Sequence, residues 1–299
     1  MLMPRKVKGQ KAKGKGQVKG VYDPFMASVR RTSVAGTWYP DNPTRLVSHL
    51  DGYLERARID DPGGRLRAIV VPHAGLMYSG PVAAYAYNVA RRHQHSALVL
   101  VGPSHFIPFE GVSLWPDGEW ETPLGPVKVD RDLASAVAAG SSEIVDLPAA
   151  HGREHCLEMQ MPFIAHLLPD VPIVPMVMGH QTRDTAFALG AAIAQAVEAH
   201  APDALLVASS DLSHYEDANT AAALDRRVIE HVERLDADGL MRALDVEPRH
   251  ACGGGPMVAV LDAARRLGAR HARLLQYADS GDVSGDKSSV VGYMAAAIW

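Results

Sequence analysis

Six short apolar runs constrain the fold more than any other feature of the chain. They lie at residues 68–71, 97–101, 173–178, 205–208, 273–277 and 290–295, each rich in Val, Ile or Leu and mostly bounded by Gly, Pro or Ser, as strands are. Longer segments with helical periodicity fall at 43–57, 81–92, 131–139, 157–168, 183–199, 218–235, 237–244 and 256–267. Alternation of this kind predicts an α/β fold: a central, largely parallel or mixed sheet flanked by helices on both faces. The segments 111–115 and 127–129, around turn-rich stretches, predict a second, antiparallel piece. No internal boundary interrupts the pattern after Arg30, so residues 30–299 are expected to form a single α/β domain behind a flexible basic tail, 1–29.

Charge separates the two parts. Residues 1–20 carry seven bases and no acid, and the rest of the chain carries 23 bases against 34 acids, a net −11. A body that acidic is unsuited to neutralising phosphates, which argues against nucleic acid as its substrate. The tail has little to bury, and a solvated segment is its simplest description. Two cysteines, Cys156 and Cys252, allow at most one bridge, so the chain is no disulfide scaffold and a reducing, cytoplasmic setting is expected. No apolar run approaches the roughly 20 residues needed to cross a bilayer.

Three predicted strands end alike: an apolar run, then a loop that carries histidine. His73 follows 69–72, His105 follows 98–104, and Asp211 and His214 follow 205–210. In an open parallel sheet the carboxyl ends of strands lie along one edge, where ligand sites form. Imidazole is both a metal ligand and a general base, so convergence of His73, His105 and His214 points to a metal or acid/base site. A histidine alone in a loop is more often a hydrogen-bonded structural residue; His93, His95, His166, His200, His231 and His271, on or beside helices, are assigned to surface or packing.

Three further residue groups bear on such a site. Cys252 precedes Gly253, Gly254, Gly255 and Pro256 at a helix start, where the dipole favours thiolate; a small buried residue in a glycine turn is the plainer alternative. His155 and Glu158 are three apart and would share a pocket if helical, although a surface pair fits the spacing equally. Cys156 between them belongs to the core. Asp211 is a carboxylate ligand, a helix cap, or the partner that fixes the tautomer of His214, the last being preferred.

The ordered motifs identify the chain with a known family. They are Arg30-Arg31 with Ala35-Gly36-Thr37-Trp38-Tyr39; Pro72-His73-Ala74-Gly75 with Tyr78-Ser79-Gly80; Gly102-Pro103-Ser104-His105; Glu154-His155 with Glu158-Met159 and Pro162; Ser209-Ser210-Asp211-Leu212-Ser213-His214; and Cys252-Gly253 with Pro256. Together they resemble the Memo family, whose bacterial and archaeal branch is called AmmeMemoRadiSam system protein B, over essentially everything but the tail. The resemblance implies a fold like that of the class III extradiol dioxygenases, non-haem iron enzymes that open catechol rings. It also implies metal ligation by His73, His105 and Cys252, an acid/base role for His214 with Asp211 beside it, and His155 lining the pocket.

Extradiol enzymes use two histidines and a carboxylate, whereas the third ligand here would be a thiolate, softer and itself oxidisable. Fe(2+) is the expected metal, with copper and zinc as alternatives. The leading expectation is a dioxygenase-like oxidoreductase acting on a chelating or aromatic substrate. A metal-dependent protein that binds a small molecule or peptide without turnover is the second, with Trp38 and Tyr39 as an aromatic wall or else as core packing. Zinc hydrolysis, with Glu158 or His214 activating water, is the third. The branch name further implies AMMECR1-type and radical SAM partners; no Cys-rich cluster motif of the radical SAM kind occurs in the chain, so any such association would be between chains.

Overall fold

The computed structural model describes residues 29–299. The expected basic tail therefore lies outside the described residues, apart from Val29. Four parallel strands form the centre of a nine-stranded sheet, in the spatial order Ala68–Val71, Leu205–Ser209, Leu98–Pro103 and Ile173–Met178. Every residue of the four is buried. Alternate side chains point to opposite faces, as the pleat requires: Ala68, Val70, Val99 and Val101 enter one core, and Ile69, Val71, Leu98 and Leu100 the other.

The first core is covered by the helices Arg183–His200, Ala218–Glu233, Ala237–Val246 and Gly254–Arg266, the second by Pro43–Arg56, Leu76–Ala90 and Met161–Leu167. Pro43–Arg56 shows why such a segment is helical: Asn42 accepts the Arg45 N–H at 3.0 Å as a cap, Pro43 occupies the first turn, and Leu46, Leu50 and Leu54 make one buried stripe.

The sheet departs from parallel at both flanks. Val290–Ile298 runs antiparallel to Ala68–Val71, and it also pairs antiparallel with His214–Glu216 and Ala272–Asp279, joining both to the centre. On the other side Val112–Leu114 is antiparallel to Ile173–Met178. The expected separate antiparallel piece is thus divided: 111–115 contributes to the main sheet, and Val127–Lys128 joins Glu119–Trp120 and Val29–Arg30 in a small three-stranded one.

Two helices differ from expectation in ways that shape the site. The second begins at Leu76, with Pro81 inside it rather than at its start. The Leu76 N–H is taken by the Trp38 carbonyl at 2.9 Å, so the helix starts three residues after His73. The segment 157–168 divides into a 3-10 turn, Glu158–Gln160, and a helix, Met161–Leu167, with Pro162 in its first turn. Among the described residues no helix is long and apolar enough to cross a membrane.

Candidate metal centre

The carboxyl ends of the four parallel strands share one edge, and the residues beyond them build the site. One donor atom each of His73, His105 and Cys252 lies within 4.8 Å of the others. Cys252 is a free thiol, with its Sγ 3.2 Å from His73 Nε2.

Both imidazoles have a fixed tautomer. Ser209 Oγ donates its proton to the Cys156 carbonyl at 2.7 Å and accepts from Gln160 Nε2 at 2.9 Å. Its contact with His73 Nδ1, 2.9 Å, is therefore one in which His73 donates. Gln160 is itself held by the Tyr87 hydroxyl and the Pro72 carbonyl, each at 3.0 Å. His105 Nδ1 donates to Glu154 Oε1 at 2.8 Å, since a carboxylate only accepts. With both Nδ1 atoms engaged as donors, Nε2 is the ring atom that each histidine has available for a metal. Burial, then the neighbouring His105, pushes the pKa of His73 well below the usual imidazole range, so the ring stays neutral.

Glu154 organises the loop around His105. Its Oε2 accepts the His105 backbone N–H at 2.6 Å, and its Oε1 accepts those of His155 and Cys156 at 2.9 and 3.0 Å. Burial alone would raise its pKa, but the hydrogen bonds and charge of His105 outweigh that and hold it at about 2. The sequence pattern does not single out Glu154, Ser209 or Gln160 for these roles. Glu154 stands next to His155 in the chain, yet its partner His105 is 49 residues away, a distance no spacing rule reaches.

Cys252 is placed by close backbone approach. A Cβ on Gly253 would lie 2.6 Å from the Ser209 carbonyl oxygen and 2.8 Å from Ser210 Cβ, so only glycine lets this turn pack against the strand end. Gln181 ties the turn down, donating to the Cys252 carbonyl and accepting from the Gly255 N–H, both at 2.7 Å. The expected dipole-stabilised thiolate does not hold for the protein alone: burial, then the Asp211 charge, raises the thiol pKa above its usual range. The donor set thus comprises two imidazole nitrogens and a thiol that loses its proton readily only when a cation takes its place, which fits a soft or borderline divalent metal.

The other residues expected at the site are distributed around this cluster. Among the described residues Asp211 makes no hydrogen bond to the His214 ring. It accepts the His73 N–H at 2.7 Å and the Ala74 N–H at 3.3 Å, so it fixes the ligand loop, and burial raises its pKa. His214 starts an edge strand, half-buried, and its tautomer is set by the Leu212 carbonyl 2.9 Å from Nδ1, leaving Nε2 as the basic atom. His155 stacks on His105 with ring centroids 4.5 Å apart, and burial followed by its histidine neighbours lowers its pKa to about 4.

Glu158 is not in the pocket with His155. It is wholly buried, bonded to Arg30, to the N–H groups of Ser33 and Val34, and to the Tyr39 hydroxyl. The 3-10 turn rotates it away, and it serves to anchor the chain entry. Tyr39 accordingly belongs to the core, while Trp38 is 39% exposed with its ring 4.4 Å from that of His155. Phe106, 49% exposed, meets His155 edge-on at 5.9 Å.

A family model described as "Memo-like protein" matches residues 30–297. A MEMO1 family protein of Methanothermobacter thermautotrophicus is 40% identical over 275 residues, covering 89% of this chain and 98% of that one. A MEMO1 family protein of Caldivirga maquilingensis is 34% identical over 278 residues, covering 90% and 99%. Among solved structures, an uncharacterized protein of Escherichia coli K12 aligns with a TM-score of 0.52 at 16% identity, over 77% of this chain and 99% of that one, a likeness of fold.

Proposed function

The chain belongs to the Memo family, and on that premise we propose that it is a non-haem iron oxidoreductase of the dioxygenase-like kind, acting on a chelating or aromatic substrate. The observation that carries this reading is the convergence of His73, His105 and Cys252 with both Nδ1 atoms already engaged, so that the Nε2 atoms and the thiol are the available donors. Iron(II) held by these three would supply open coordination positions for a chelating diol and O₂. Glu154 and Ser209 orient the two rings, and Asp211 holds the backbone that carries His73. His214 Nε2 would take and return substrate protons, and the neutral His155 ring would wall the pocket between Trp38 and Phe106. A half-buried reduced thiol also suits a reducing, cytoplasmic compartment.

Zinc hydrolysis loses one of its two candidate bases, because Glu158 has its acceptors filled and is wholly buried, and would have to rely on His214. Metal-dependent binding without turnover is favoured by one feature, the exposed aromatic pair Trp38 and Phe106 beside His155. Anaerobic reconstitution with iron(II), then oxygen uptake over a panel of catechols, tests the proposal. Uptake that vanishes in His73→Ala supports it; no uptake with any chelating diol overturns turnover, and calorimetric binding that needs metal would then establish the binding alternative.

A further inference from the structure

Two adjoining cavities lie beside the first described residues, and none of the metal-centre residues lines either of them. The smaller, about 320 Å³, is walled by residues 29–33 together with Trp115, Pro148 and Gly152. The larger, about 660 Å³, shares Trp115 and Pro148 with it and continues over Leu114, Pro116, Ile144 and Val145. Ile144–Val145 is the terminal strand of the nine-stranded sheet and only half-buried. An open apolar hollow of this kind marks a surface against which something docks.

The register of the small sheet says what arrives there. Val29–Arg30 pairs in parallel with Glu119–Trp120, and Val29, 40% exposed, stands opposite Glu119. Parallel strands run in step, so continuing the chain backward from Val29 brings position 27 level with Asp117 and position 26 level with Pro116. Both Pro116 and Asp117 are walls of the larger cavity. The residues that would arrive suit it: 21–28 contain Val21, Tyr22, Phe25, Met26 and Ala27 with one charged residue, Asp23, whereas 1–20 carry seven bases. An aromatic ring supplies large apolar area and a thioether adapts to an irregular hollow. Charge agrees as well. Asp117 and Asp146 outnumber Arg131 in the wall, which favours the approach of a segment preceded by lysines. We propose that residues 22–28 of the same chain dock along this groove, with Phe25 and Met26 in the larger cavity. The proposal concerns a face separate from the metal centre and does not depend on the function assigned to it.

Photocross-linking of the full chain tests it, with Phe25→p-benzoylphenylalanine as the probe and an equal mixture of ¹⁴N- and ¹⁵N-labelled protein to tell one chain from two. The expected cross-links join position 25 to residues 114–117 or 144–148 of the same chain. Cross-links to other parts of the chain, cross-links between light and heavy copies, or none at all overturn the proposal; those between copies would assign the groove to a second molecule. Hydrogen exchange supplies a second reading that needs no probe. In Phe25→Asp/Met26→Asp, amides of 112–117 and 143–147 should exchange at least about fivefold faster than in wild type, with the central strand 68–71 unchanged as reference. Equal exchange in the two proteins overturns the docking, because both substitutions lie outside the folded body and leave its own contacts intact.

Discussion

Replacing Glu154 by Gln tests whether the residues behind the ligands are a positioning device. The carboxylate accepts four N–H groups, at 2.8, 2.6, 2.9 and 3.0 Å, three of them on Oε1. Glutamine keeps the shape but offers only one oxygen. If that oxygen replaces Oε1, the new NH₂ faces the His105 backbone N–H, donor against donor. If it replaces Oε2, the NH₂ faces His105 Nδ1 and drives the ring into the other tautomer, putting a proton on Nε2, where the metal needs a lone pair. Hydrogen bonds to charged groups contribute about 1.5–3 kcal/mol each, and loss of an orienting partner typically lowers metal affinity about 10–100-fold.

The assay is anaerobic competition against a chelator of known affinity, with Glu158→Gln as control. Glu158 is equally buried and accepts several bonds, but none of its partners is a site residue. The expected result is weaker metal binding in Glu154→Gln and near-normal affinity in folded Glu158→Gln, whatever stability each loses. Affinity in Glu154→Gln within about twofold of wild type would refute the reasoning, since the expected loss is at least about tenfold.

Two predictions concern the fold. His151 is wholly buried between Trp115 and Trp120, and burial lowers its pKa to about 4. In the unfolded chain it titrates at about 6.5, so below that pH the unfolded state takes up a proton that the folded state refuses. Stability is complete above the unfolded value and falls as pH drops toward 4; between pH 7.5 and 5 this residue accounts for about 2 kcal/mol. Urea unfolding at both pH values should show wild type losing about that much more than His151→Phe, and parallel losses would contradict it. Gly102→Ala would set a Cβ 2.6 Å from Cys156 Sγ and 2.9 Å from Leu157 Cδ2. It should cost about 1–3 kcal/mol in thermal unfolding and be partly relieved by Cys156→Ala; an unchanged Tm would mean the strand end is looser than described.

The legible part of this molecule was the part written in local pattern. Strands 68–71 and 173–178 could be placed to the residue because their side chains are buried on both faces, and the ends of the parallel strands located His73 and His105 along one edge. Cys252 was legible through the glycines that follow it, the first of which, Gly253, packs against Ser209 and Ser210. What pattern does not carry is pairing across the sheet. The bonds from Glu154 to His105 and from Asp211 to His73 span 49 and 138 residues, and nothing local announces them. The i,i+3 pairing of His155 with Glu158 failed for the complementary reason: a 3-10 turn, not an α-helix, follows Leu157, and the buried Arg30 had a stronger claim on the carboxylate.

X-ray absorption at the iron edge tests the central claim most directly. Protein reconstituted anaerobically with iron(II) should bind one metal per chain, with one sulfur and two imidazoles in the coordination shell, and Cys252→Ser should remove the sulfur contribution. A shell without sulfur in the wild type, or one unaltered in Cys252→Ser, would contradict the assignment of His73, His105 and Cys252 as the metal centre.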